Sequence, residues 1–202
     1  EGESEQAYID FLKSEFHDVA VFKRPSSPGL FDDADNRFKK DPGYRNYVDA
    51  IDEIWFFFDV EEKDIGNWTN RLEIIKRLRK LRKDPKILVR LLMTTGCIEY
   101  WLMPHYRHLA PSLLTVPDKE RMLAQVVNME PTYRKGNYDA TARIAQNYPT
   151  AVKNATIVLQ NLLQEGMPGL EDTDERNCWL CTKCKTFSTV QEAIVFLEGL
   201  QS

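Results

Sequence analysis

Long apolar runs are absent from this sequence. None of its hydrophobic stretches approaches the roughly 20 residues that a membrane-spanning helix requires, and no signal peptide is visible. An excess of positive charge is also missing: 27 Lys and Arg stand against 31 Asp and Glu, for a net charge of −4. That excludes a protein coated in basic residues. It leaves nucleic acid open, because the local distribution of charge matters more than its sum. Cysteine is scarce, at four residues, and three of them (Cys178, Cys181 and Cys184) are crowded at C-x-x-C spacing. Such crowding suits a reducing compartment better than a disulfide framework, so the cytoplasm is the expected location. There is no internal repeat and no low-complexity segment. An initiator Met is lacking too, and the chain opens on the charged segment Glu1-Gly2-Glu3-Ser4-Glu5. The expectation is that residues precede it and that a strand is among them.

What is present is an ordinary globular composition, 43% hydrophobic and 29% charged over 202 residues. A chain of this length makes one large domain or two small ones and buries roughly 70% of its unfolded surface. Ser4 is placed to cap a helix whose apolar positions include Ala7, Tyr8, Phe11 and Leu12. Residues 18–23 alternate and read as a short strand. Residues 25–43, rich in Pro, Ser, Gly and Asp, read as a loop or mobile insertion. Residues 44–51 suggest a helix leading into the continuously apolar run 53–58, which has the form of a strand buried on both faces of a parallel sheet. Residues 68–83 carry Leu72, Ile75 and Leu78 on one helical stripe, ended by Asp84-Pro85. Residues 87–94 form another buried strand.

Strand, helix, strand is a βαβ unit, so residues 1–110 are expected to be an α/β domain with a parallel-sheet core and helices on both faces. Residues 111–202 are expected to be a mainly helical extension packed on that core. Helices are predicted at 97–108, 118–129, 138–148, 149–164 and 189–200.

Ligands of open α/β sheets sit beyond the carboxyl ends of the strands. Asp59 and Glu61 follow directly on the apolar run and fall at such an edge, with Glu62 and Asp64 beside them. Glu1 would fall at an equivalent edge if a strand precedes it, and Glu5 stands one helical turn further on. Four convergent carboxylates repel one another unless a cation neutralises them. Taken singly, each reads as a solvated turn residue; combined with the βαβ frame, Glu1, Glu5, Asp59 and Glu61 read as ligands of a hard divalent metal, Mg²⁺ or Mn²⁺.

Three segments, Glu1 to Glu5 followed by Tyr8, Phe58-Asp59-Val60-Glu61, and Cys97-Ile98-Glu99-Tyr100-Trp101-Leu102-Met103-Pro104-His105-Tyr106, together resemble the RloB-like family. That family is a branch of the Toprim superfamily found beside ATPase genes or restriction loci in prokaryotic defence. Tyr133-Arg134-Lys135 adds to the likeness. The resemblance implies a Toprim-like fold, with Glu1 as ligand and acid/base, Glu5 as a second acidic residue, and Asp59 with Glu61 in place of an aspartate pair. Glu61 departs from the usual aspartate. Glu99 and His105 are implied at the rim of the active site.

The implied activity is metal-dependent phosphodiester cleavage of RNA, including tRNA, or of DNA, by a toxic effector of antiviral defence. Metal would position the phosphate and activate water. A rival expectation is a non-catalytic effector or sensor subunit that docks on a partner ATPase. A homo-oligomer is compatible with either; a membrane partner is not expected. A third reading, a topoisomerase- or primase-like nucleotidyl transferase, suffers because no Tyr is marked out as a nucleophile.

For the nucleic-acid surface, the basic helix bearing Lys76, Arg79, Lys80 and Lys83 stands level with a plain solvated outer face. Lys135 joins that set. The Cys178, Cys181 and Cys184 cluster is a poor Zn²⁺ site, since the second ligand pair that structural zinc wants is missing.

Overall fold

The computed structural model describes residues 2–25, 29–183 and 185–201, apart from the side chains of Lys63 and Asp64. The predicted site residue Glu1, the acidic neighbour Asp64 (as a side chain) and Cys184 lie outside the described residues. In chain order the elements are α1 (Glu3–Glu15), α2 (Phe31–Lys40), α3 (Pro42–Arg45), β1 (Glu53–Val60), α4 (Trp68–Arg79), β2 (Leu88–Thr95), α5 (Ile98–Leu102), α6 (Val116–Met129), α7 (Tyr138–Ala145), α8 (Tyr148–Gln164), α9 (Asp174–Thr182) and α10 (Val190–Gln201). The protein is therefore mixed α/β and mostly helical.

The sheet joins β1 to β2 in parallel, with Phe57 opposite Leu92 and Asp59 opposite Thr94. Alternation of side chains splits the interior in two. Phe57 and Leu92 face a cluster with Tyr8, Phe11, Trp101, Val126, Ile144 and Ile194, which comes from α1, α5, α6, α7 and α10. Phe56, Phe58, Leu91 and Met93 face the other way, toward Phe31, Ile75, Leu78 and Leu180 of α2, α4 and α9. Helices therefore cover both faces, and α8 serves both cores: Ala151 and Ala155 belong to the first, Val158, Leu159 and Leu162 to the second.

The outer edge of β2 is closed by residues 185–189, running antiparallel to it. Thr95 N–H donates to Phe187 O at 3.1 Å, and Thr189 N–H donates to Met93 O at 2.9 Å. The Thr189 hydroxyl accepts from Met93 N–H (2.8 Å) and donates to Leu91 O (2.7 Å). The Leu91, Met93 and Thr95 backbone groups on this edge are thus satisfied, and the C-terminal helices are tied to the sheet.

Several local expectations need correcting. Residues 18–23 form no strand: they lack a pairing partner, Val21 is fully exposed, and Phe22 instead packs edge-on against Trp55 at 5.4 Å. The stretch read as a loop over 25–43 contains α2 and the first residues of α3. Its polar residues stabilise the helix through Asp33–Arg37 and Asp35–Lys39 pairs, both 2.6 Å, while Phe31 stacks on Phe56 at 4.2 Å. The basic helix stops at Arg79, so Lys83 lies in the turn that precedes Pro85. Cys178 and Cys181 sit on α9, and the buried Cys181 thiol meets Met93 Sδ at 3.5 Å. Among the described residues, no helix is long and apolar enough to cross a membrane.

Candidate metal centre

At the carboxyl ends of the strands the chain turns sharply. Gly96, directly after β2, has φ +75°, and a Cβ there would stand 2.9 Å from Leu113 O. Only glycine lets the 113 segment come so near while the backbone takes a left-handed turn. The turn leads into α5 and buries Glu99, which is 1% exposed. A carboxylate so enclosed needs partners. Tyr133 donates its hydroxyl hydrogen to Glu99 Oε1 at 3.1 Å, and the largely exposed Lys135 brings Nζ to 3.7 Å from the same oxygen.

The loop carrying Tyr133 and Lys135 is held against the first turn of α1. Gly136 N–H donates to Ser4 Oγ at 3.1 Å, and Gly136 has φ +75° where a Cβ would press on Glu3 at 3.0 Å. Glu5 is buried in the same turn, and its Oε2 accepts from Gly2 N–H at 2.9 Å. Burial, Glu99 and Glu5 together drive the Tyr133 phenol far above its ordinary range. It stays protonated and remains a donor.

Cys97 joins this cluster to β1. Burial and the negative charges of Glu99 and Asp59 push its thiol up to about 12. Asp59 itself is half-buried, next to last in β1 and level with Thr94. Glu99 thus acts on both Tyr133 and Cys97, Glu5 on Tyr133 and Asp59 on Cys97, three carboxylates drawn from three separate elements. Glu61 lies further along, where Lys119 forms an ion pair with it. Lys119 is set one turn into α6 by a Thr115–Asp118 capping box: Thr115 N–H donates to Asp118 Oδ2 at 2.9 Å. Among the described residues, no three His, Cys, Asp or Glu side chains come together as a ready-made metal cage.

His105 is not at the rim. It is completely enclosed, with Nδ1 3.1 Å from Trp101 O and 3.2 Å from Leu102 O. Two carbonyl acceptors fix the proton on Nδ1, so Nε2 accepts from the Tyr8 hydroxyl at 3.1 Å. Burial pushes this imidazole down to about 4, and it is neutral at physiological pH.

The basic residues of α4 lie beyond the other face of the sheet. Lys76 pairs with Glu73 (3.1 Å) and Arg79 with Asp174 (2.9 Å), while Lys80 and Lys83 are exposed. Lys135 is the one member of the predicted nucleic-acid set found beside the carboxylates. Sequence reasoning missed Lys119, which carries no motif, and gave Tyr133 no role of its own. An aromatic two residues before a lysine was the one available signal.

No curated protein and no solved structure matches the chain. The family model described as RloB-like protein matches residues 1–194, nearly the whole sequence, and the chain therefore belongs to the RloB-like family.

Proposed function

We propose that the protein is a divalent-metal-dependent nuclease on a Toprim-like frame, acting on RNA, including tRNA, or DNA as a toxic effector of antiviral defence. The observation that carries this reading is a chain of carboxylates linked through buried neighbours: Glu5 and Glu99 act on Tyr133, Glu99 and Asp59 act on Cys97, and Asp59 and Cys97 stand at the carboxyl ends of two parallel strands. That edge is where α/β sheets hold their ligands.

Hard carboxylate oxygens suit Mg²⁺ or Mn²⁺, which take one or two protein carboxylates and fill the remaining positions with water and phosphate oxygen. The absence of a three-ligand cage among the described residues is compatible with that low demand. Glu5 and Asp59 would hold the metal, together with Glu1 at the segment's start. Bound there, the ion supplies positive charge for a scissile phosphate and a more acidic water. The chain's own groups do the rest. Lys135 extends from Glu99 into solvent, where a phosphate oxygen would take its charge. Tyr133 fixes the Glu99 carboxylate, and neutral His105 ties α5 to α1 without exchanging protons.

The test is cleavage of mixed RNA and DNA by purified protein in Mn²⁺, alone and with a partner ATPase. Activity that depends on the metal and disappears in Asp59→Asn and Glu5→Gln supports the reading. Activity that survives both substitutions sinks it.

One observation favours a second reading: Lys119 neutralises Glu61, an expected ligand, as in a frame kept only for assembly. In that case the protein is a non-catalytic subunit that docks on an ATPase, and the two substitutions leave complex formation unchanged.

A further inference from the structure

Positive charge is concentrated between the last turn of α4 and the start of β2. Residues 76–86 hold seven Lys and Arg against a single Asp, in a protein whose net charge is −4. We propose that Lys80, Lys83 and Lys86 form a phosphate dock for double-stranded nucleic acid, separate from the carboxylate centre. The choice of nucleic acid as the polyanion rests on the nuclease reading above.

Ion pairs sort the seven cations. Lys76 is taken by Glu73 (3.1 Å), Arg77 by Asp35 (2.9 Å) and Arg79 by Asp174 (2.9 Å). Arg82 is spent on the loop itself: Nε donates to Pro85 O at 2.6 Å and Nη1 to Asp49 O at 2.7 Å, with Asp52 3.7 Å away. Lys80, Lys83 and Lys86 are exposed, and among the described residues no acidic side chain pairs with them.

The loop that presents these lysines is held at both ends. Leu78 and Ile87 are fully buried, Leu81 packs on the core beneath α4, and the Arg82 bonds close the turn between them. Like charges held close repel one another, and a polyanion laid against them relieves the repulsion. Cations on a fixed loop also lose less freedom on binding than cations on a mobile tail.

The composition of the segment selects the form of nucleic acid. Residues 76–87 contain no aromatic side chain. Binders of single strands set aromatic rings among their cations to stack unpaired bases. Lysines alone read phosphates, of which a duplex offers one per roughly 1.7 Å. Topology then sets the distance. The dock lies at the amino ends of the strands, where Leu88 stands beside Glu53, whereas Asp59 and Thr94 lie near the carboxyl ends. Strands of eight residues separate the two ends by about 25 Å, a length that a duplex covers in about eight base pairs. Nucleic acid on the dock is therefore gripped well away from the carboxylates, as a helical arm would be.

The test follows binding of a labelled duplex of about 24 base pairs, three times that length, as RNA and as DNA. It is run in EDTA across a KCl series, with single strands of equal length alongside. Lys80→Gln, Lys83→Gln and Lys86→Gln combined are expected to weaken the duplex by about tenfold or more at low salt. They should also lower its log–log salt slope by about two to three. The same three positions changed to Arg should keep both. A control protein loses three exposed lysines from scattered helices, Lys13 of α1, Lys40 of α2 and Lys153 of α8, each changed to Gln. Its net charge changes equally, and its slope should stay as in the unaltered protein.

Equal losses in the two triple variants overturn the dock, because net charge alone then explains them. So does an unchanged slope, a preference for single strands, or lysine-dependent binding of phosphatidylserine vesicles in place of the duplex. Each of these leaves cleavage at the carboxylates to be judged on its own test. A duplex that binds through the three lysines but is never cut in Mn²⁺ supports the dock and sinks the nuclease reading.

Discussion

The Tyr8 hydroxyl donates to His105 Nε2 at 3.1 Å, joining residues 97 positions apart in a fully buried contact. It fastens α1, which carries Glu5, to the segment that follows Glu99. Trp101 packs edge-on to both rings, at 5.7 Å from Tyr8 and 5.0 Å from His105. Tyr8→Phe keeps the packing but strands Nε2 without a donor. The expected loss is about 1–3 kcal/mol, read as a lower urea midpoint with an unchanged slope. An unchanged midpoint contradicts the contact.

His105 also sets a pH dependence. Its folded value lies near 4, against 6.5 in the unfolded chain. Below 6.5 the unfolded chain takes up a proton that the folded protein refuses until about 4, so stability falls with pH across that window. Above 6.5 this group contributes no slope. The full difference is about 3 kcal/mol. His105→Gln is expected to be less stable at neutral pH yet flatter between about pH 7 and about pH 4. Parallel curves for the two proteins contradict the assignment.

A bidentate pair in the sheet gives a third expectation. Arg90 donates to both oxygens of Glu53 at 2.8 Å, and its guanidinium lies 4.7 Å from the Phe196 ring centre. Both side chains are largely buried, at 15% and 8% exposure. Arg90→Met leaves a buried carboxylate uncompensated and should cost about 3–5 kcal/mol. The double substitution Arg90→Met with Glu53→Leu should recover much of it. A double variant as unstable as the sum of the single ones contradicts a direct pair.

Cysteine chemistry probes the centre without assuming any activity. With its thiol pushed up to about 12, Cys97 holds almost no thiolate near neutrality and is 5% exposed. The half-buried Cys178 should take iodoacetamide well before Cys97 in the native protein, and denaturation should abolish the difference. Equal native rates, followed by mass spectrometry, would place Cys97 outside a buried acidic pocket.

Much of this arrangement is written locally. The run Phe56-Phe57-Phe58 announces a doubly buried strand because both faces of β1 are covered, and the Leu72, Ile75 and Leu78 stripe fixes α4. Asp59 at the strand end follows from the same reading. Residues 31–40 were less legible: their acidic and basic residues look like a loop until ion pairs between them, and Phe31 on Phe56, hold a helix together. The centre was legible in part. Glu5, Asp59 and Glu99 belong to motifs, but the Glu61–Lys119 pair spans 58 positions, and such pairings leave no periodicity in the sequence. The same holds for His105. Its motif position says nothing of the enclosure that Tyr8 and Trp101 impose.

The most direct test of the central claim is a Mn²⁺ titration of three folded proteins: the unaltered chain, Glu5→Gln and Asp59→Asn. The account predicts uptake by the unaltered chain and a loss of about tenfold or more in each variant, since even groups that only support a metal ligand cost that much. Equal uptake by all three, or none by the unaltered protein, contradicts it.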